Sequence, residues 1–400
     1  MHATTAIATL LPRPANAELE RTRTALRAAG YDFALLSSLG NVTYASGYTV
    51  PIPVGAHTEL AYGSALALIG TRDATNCLLV AAGTAAAAQA AAPHFDILTF
   101  EGFNTLQPTD FEAAYLATIA HALTQAGLDN STGRIAIEGR TLPYAVGQLL
   151  HAQFPHLVLG EAAAPLEQAR LIKTEREIRL LRHAAQLGDV AQRRLAELAR
   201  QPQQTEFTMW GDIIAHVHCA AGREIPISGE LVTGPRVTVV EYPNGPRERQ
   251  TAAGDAALMD ISGRVNGYWF DCTNTYLMGG ASPTSNQLKF TRASQAACEA
   301  AMDALRPGNR ASDAYAAAET AFQAHGLPVA HYAGHQIGVT VNELPRLVPY
   351  DQTPIEPGMV FSVEPGAYEG AGGSFGARSE KMVLVTAQGP EILSTFAWGI

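Results

Sequence analysis

The chain has 400 residues, 37 acidic against 27 basic side chains, and a formal net charge of −10. That length predicts two domains with cores large enough to need no disulfide staples. The negative balance argues against a nucleic-acid partner, and 47% hydrophobic with 16% charged residues excludes a disordered chain. Cys77, Cys219, Cys272 and Cys298 form no CxxC pair, which excludes zinc-ribbon and thioredoxin motifs and predicts reduced thiols in a cytoplasmic protein. The first residues, MHATTAIATLLPRP, lack a basic leader and their apolar run stops at Pro12, so no signal peptide is expected. The alanine-rich stretch 77–92 is too short and interrupted to span a bilayer, so no membrane partner is expected either.

In chain order, AELERTRTALRAAG reads as an amphipathic helix closed at Gly30. YDFALLSS, SALALIG and NCLLVA read as buried strands, residues 82–93 as a small-residue helix closed by Pro93, and FDILTFEGF as another strand. The helix FEAAYLATIAHALTQAG then precedes the strand GRIAIEG at 133–139. This alternation predicts an α/β domain over residues 1–165. Within it, YTVPIPVGAHT at 48–58 is a loop, either an ordinary surface connection or a cap over a binding site. After Pro165 a long helical stretch dense in arginine and glutamate marks the boundary. Residues 166–400 then read as an α+β domain: helices, hairpins and a final block of strands from Gly358, with an antiparallel sheet.

The chemistry concentrates in the second domain. In ALMDISGRVNGYWFDCTNTYLMG, Asn266-Gly267 between strand-like runs predicts a two-residue hairpin. With that loop, Ser262 faces Asp271 and Asp260 faces Thr273, so Asp260 and Asp271 are diagonal neighbours on one face. Carboxylates so close repel unless a proton or a cation lies between them, or unless both simply point to water. HYAGHQIGVTVNELP carries His331 and His335 four apart, but Gly334 and Gly338 argue against a helix. By itself His335 reads as a hydrogen-bonded core histidine sooner than as a ligand. EPGMVFSVEPGAY places Glu364 at a strand-to-turn junction, and GGSFGARSEKMVLVT places Arg378 and Glu380 two apart on one strand face. Glu380 alternates with Met382 and Leu384, so it is expected on the buried side, where an unpaired carboxylate is costly. Taken together, Asp260, Asp271, His335, Glu364 and Glu380 offer four carboxylates and one imidazole without a thiolate. That donor set suits Mn²⁺, Co²⁺ or Zn²⁺, and bridging carboxylates hold two such ions about 3.5–4 Å apart.

With these motifs the chain resembles the pita-bread metallopeptidases, which include methionine aminopeptidase, aminopeptidase P and prolidase (Xaa-Pro dipeptidase). All five ligand positions of that pattern are matched by Asp260, Asp271, His335, Glu364 and Glu380. LLSSLGNVTYASGY is similar to the N-terminal domain of the prolidase and creatinase group, and QARLIKTEREIRLLRHAAQ to its linker helix. The resemblance implies two divalent cations, Mn²⁺ ahead of Zn²⁺ or Co²⁺, and hydrolysis of the Xaa-Pro bond in dipeptides by a metal-bridging hydroxide. It implies Glu364 as proton acceptor, His331 as a substrate contact, and a homodimer. Two family histidines are missing. Tyr242 and Asn342 stand in their places and are the expected hydrogen-bond donors, while Gln336 replaces a common glycine. Arg378 is expected either to orient Glu380 or to bind a substrate carboxylate. The rival readings are an aminopeptidase P acting on longer peptides, and a creatinase-like or pseudo-peptidase binding protein.

Overall fold

The computed structural model describes residues 15–53, 62–72, 74–129, 132–201, 203–240 and 244–400. They divide into two compact units that meet in sequence between Arg170 and Leu171.

The first unit carries strands β1 (Phe33–Leu36), β2 (Leu66–Gly70), β3 (Asn76–Ala81), β4 (Asp96–Phe100), β5 (Arg134–Ile137) and β6 (Val158–Glu161) in one sheet of order β4-β3-β2-β1-β5-β6. Its helices are α1 (Asn16–Ala28), α2 (Leu39–Ser46), α3 (Ala85–Ala91), α4 (Phe111–Gln125), α5 (Tyr144–Gln153) and α6 (Ala163–Arg170). Ala34 and Leu36 join one apolar cluster while Phe33 and Leu35 join another, so alternate side chains of β1 feed cores on both faces of the sheet. The sheet is mixed: β1–β2 and β2–β3 pair antiparallel, and the remaining pairs are parallel. Only part of the 48–58 loop lies within the described residues.

The second unit begins with α7 (Glu175–Leu198) and α8 (Glu206–Ala221). The stretch expected as one long helix after Pro165 is two helices, α6 and α7. Thr174 ends the interruption because its hydroxyl and the Glu177 carboxylate form a capping box that starts α7 afresh. Strands β7 (Ile227–Thr233), β8 (Ala256–Val265) and β9 (Tyr268–Leu277) form an antiparallel sheet. Gly188 lets α7 approach β9 closely, since a Cβ there would lie 3.0 Å from Cys272 Sγ.

Beyond α9 (Ser285–Ala304) and α10 (Ala311–Ala324) come β10 (Gly334–Gln336), β11 (Glu343–Arg346), β12 (Val360–Val363), β13 (Gly366–Tyr368), β14 (Gly376–Arg378), β15 (Lys381–Thr386) and β16 (Gly389–Ile392). A five-stranded antiparallel sheet has the order β11-β10-β12-β15-β16, and β13–β14 form a separate ribbon. The core beneath is alanine-rich on the helix side, with Ala293, Ala297, Ala301, Ala314 and Ala318 buried with Phe361 and Val383. Among the described residues no helix is long and apolar enough to cross a membrane.

Candidate metal centre

The β8–β9 hairpin sets the first two acids. Asn266 and Gly267 both take positive φ, at 51° and 87°, as a tight primed turn requires. The register is the expected one: Ser262 faces Asp271 and Asp260 faces Thr273. Ser262 Oγ donates to Asp271 Oδ1 at 2.9 Å and so orients that carboxylate.

His335 comes from β10, paired with Ser362 of β12. Gly334 before it has φ 146°, and a Cβ there would meet the Ser362 carbonyl oxygen at 2.2 Å, so only glycine allows the strands to approach. His335 Nδ1 lies 2.9 Å from the Gln336 carbonyl, which only accepts, so Nδ1 carries a proton. Nε2 then faces Glu364 Oε1 at 3.2 Å and Asp271 Oδ2 at 3.6 Å. The Gln336 side chain is buried and accepts from Lys173 Nζ, which also pairs with Glu343.

Glu364 occupies the junction between β12 and β13, as its motif suggested. Arg378 and Glu380 are not on one strand. Arg378 ends β14, and the chain breaks at 379–380 before β15 enters the five-stranded sheet. At the break Glu380 N donates to Thr273 O of β9, outside both the β13–β14 ribbon and the five-stranded sheet. Both side chains nevertheless reach the acids.

One donor atom each from Asp271, His335 and Glu380 lies within 4.8 Å of the others, and the same holds for Asp260, Glu364 and Glu380. Glu380 belongs to both groups. Its Oε2 accepts from Thr273 Oγ1 at 2.7 Å, whereas its buried Oε1 has no partner among the described residues. Burial first, then the neighbouring acids, pushes Asp271 and Glu380 well above the usual carboxylate range, and burial also raises Asp260. For Glu364 burial also raises the pKa, but the His335 hydrogen bond and charge outweigh it and the group is held low. An oxygen-rich donor set with one imidazole, a partnerless buried carboxylate oxygen and mutually repelling acids fits divalent cations of the Mn²⁺, Zn²⁺ or Co²⁺ kind.

Arg378 supplies the balancing charge. Its Nη2 lies 2.6 Å from Asp260 Oδ2 and 2.9 Å from Glu230 Oε2, its Nε reaches Thr273, and its Nη1 donates to the Tyr368 hydroxyl at 3.0 Å. His331 Nδ1 is 2.8 Å from the Tyr332 carbonyl and its Nε2 is 3.3 Å from the Tyr368 hydroxyl. Burial, then Arg378, holds the His331 ring below its ordinary range, hence neutral. Asn342 turns its amide to the Tyr332 hydroxyl and to Arg346. Tyr242 lies outside the described residues.

Three members were missed in the sequence: Glu230, Tyr332 and Tyr368. Glu230 pairs with Asp260 across β7 and β8, and a hairpin argument extended to the preceding strand would have found it. The two tyrosines sit inside the quoted histidine and EPG motifs, Tyr332 just before β10 and Tyr368 at the end of β13, where neither stands out from its apolar neighbours.

Comparison with known proteins adds the lineage. Residues 179–387 match the family described as Metallopeptidase family M24, and residues 18–172 match the Creatinase/Prolidase N-terminal domain. Over 227 residues, 56% of the chain and 58% of the relative, it is 34% identical to the "Probable dipeptidase PepE" of Mycobacterium tuberculosis. The match thus spans less than two thirds of that relative's length. Over 268 residues, 66% of the chain and 74% of the relative, it is 26% identical to the Xaa-Pro dipeptidase of Pyrococcus furiosus. The solved Xaa-Pro dipeptidase from Bacillus anthracis superposes with a TM-score of 0.77 at 21% identity, over 96% of this chain and 98% of that one. By fold and by motif the chain belongs to metallopeptidase family M24, with a creatinase/prolidase domain at its front.

Proposed function

We propose that the protein is a dinuclear metallopeptidase that hydrolyses the Xaa-Pro imide bond of dipeptides, with hydroxide as nucleophile and Mn²⁺ as the working cation. The observation that carries this is the pair of donor groups sharing Glu380, whose second oxygen has no partner among the described residues. Asp260, Asp271, His335, Glu364 and Glu380 would hold the cations. When bound, they supply the positive charge that acidifies a water and polarises the scissile carbonyl.

The chain's own residues do the rest. Glu364, kept anionic beside His335, takes the proton of the attacking water and returns it to the leaving imino nitrogen. Arg378 holds Asp260 and Glu230 in place and, through Tyr368, fixes the His331 ring at the substrate side. These contacts favour a positioning role over binding of a substrate carboxylate, but toward Asp260 and Glu230 rather than toward Glu380 as expected. The chemistry belongs to residues 166–400, and the dipeptide-sized site is carried by a soluble homodimer of the cytoplasm.

The test is hydrolysis of Ala-Pro, Leu-Pro and an Ala-Pro-Xaa tripeptide by protein loaded with Mn²⁺, Co²⁺ or Zn²⁺, with metal content measured on the same samples. Dipeptide cleavage with about two metals per chain is the expected result. Faster cleavage of the tripeptide assigns the chain to aminopeptidase P chemistry instead. Two bound metals with no cleavage of either overturns the peptidase reading in favour of a binding protein.

A further inference from the structure

Resting on the peptidase reading above, we infer that Tyr332 is a catalytic residue of this chain: its hydroxyl donates a hydrogen bond to the carbonyl oxygen of the scissile bond, the contact left open by the two missing histidines. Its ring lies between His331 and His335, with centroids 5.9 Å and 6.0 Å away, and it is only partly buried. Asn342 Nδ2 donates to the Tyr332 hydroxyl at 3.5 Å, and Asn342 Oδ1 accepts from Arg346 Nε at 3.0 Å, which fixes which way the amide faces. The phenol oxygen thus accepts from Asn342 and keeps its own proton to donate, with Glu364 within reach. Asn342, which stands where the family carries an imidazole, acts through the phenol rather than on the substrate.

The neighbouring donors are already engaged. Nδ1 of the neutral His331 ring donates to the Tyr332 carbonyl, so Nε2 is left to accept the Tyr368 proton. Tyr368 in turn accepts from Arg378, and the other Arg378 nitrogens serve Thr273, Glu230 and Asp260. Tyr332 is different. Its hydroxyl lies within hydrogen-bond reach of Glu364, at the centre of the acid cluster. With Glu364 engaged as a ligand, the Tyr332 phenol would be free to turn its proton to the substrate oxygen, where negative charge grows during attack.

The experiment compares wild type with Tyr332→Phe in three ways: Ala-Pro turnover, calorimetric affinity for a phosphinic Ala-Pro analogue that mimics the tetrahedral anion, and Mn²⁺ titration of the metal-free protein. The expected result is a kcat lower by about 10²–10³-fold and phosphinate affinity lower by a similar factor. KM and the Mn²⁺ midpoint should stay within about threefold, which a merely structural role would not allow. Adding Asn342→His to Tyr332→Phe restores an imidazole donor and should recover part of the rate. If Tyr332→Phe retains both turnover and phosphinate affinity, the inference is overturned while the peptidase reading stands. If the variant instead binds Mn²⁺ poorly, Tyr332 positions the ligands and the inference is likewise overturned. A loaded wild type that neither cleaves Ala-Pro nor binds the phosphinate overturns the peptidase reading and this one with it.

Discussion

Glu380 is the residue on which the two donor groups depend. One of its oxygens accepts from Thr273 and the other has no partner among the described residues. Glu380→Gln keeps the shape and the Thr273 contact but removes the charge. We expect the metal-free variant to be at least as stable as wild type, because a buried carboxylate among carboxylates is itself destabilising. At free Mn²⁺ of 100 times Kd, wild type should gain about 2.7 kcal/mol of stability on loading, and the variant should lose most of that gain. Scanning calorimetry with and without Mn²⁺ checks this; an equal metal-induced rise in Tm for both proteins would remove Glu380 from the ligand set. The five donors were legible in the sequence because each is flanked by a turn signal or an alternating pattern that makes its face readable. Glu230, Tyr332 and Tyr368 were not, because their meaning depends on partners across sheets: Arg378 Nη2 reaches Glu230 over a separation of 148 residues.

Secondary-structure elements carry the accuracy of the site. Hairpin register follows from two residues, Asn266 and Gly267, and a shift of one position would turn Asp260 and Asp271 away from each other. Gly267→Ala must place a Cβ at φ 87°, which costs about 1–2 kcal/mol. Chemical denaturation should show that loss, and Mn²⁺ titration should show weaker binding if the turn relaxes by slipping register. The hairpin was readable because turn chemistry is local. The break between α6 and α7 and the break at 379–380 were not, because helix and strand periodicity continue through both in the sequence while a cap in one case and a cross-sheet bond in the other interrupt them. Helix α7 also carries a pH dependence. Burial, with Arg223 adding to it, holds His183 below its ordinary value of 6.5 despite a hydrogen bond with Gln186. Below pH 6.5 the unfolded chain therefore binds a proton that the folded one refuses, so the stability is complete above that pH and falls as pH drops through it. Unfolding followed from pH 7.5 to 5 should show this decline in wild type and a flatter profile in His183→Gln. A wild-type profile as flat as the variant's would contradict the reading.

At the scale of the whole molecule, the two units differ in what they ask of the solvent. Residues 171–400 hold every described donor of the centre, so cation binding should protect that unit and leave the first one untouched. Hydrogen exchange with and without Mn²⁺ should show added protection at β8, β9, β10 and β12 and none across β1 to β6. Protection spread evenly over both would place a ligand elsewhere. The same arrangement has a kinetic consequence. The acids come from one hairpin and from two junctions far along the chain, and the Arg378–Asp260 pair alone closes over 118 residues. Such contacts form only after most loop-closure entropy has been spent, so no early folding intermediate presents a usable cation site. A cation site built this way would be completed late in folding, once segments more than a hundred residues apart have docked.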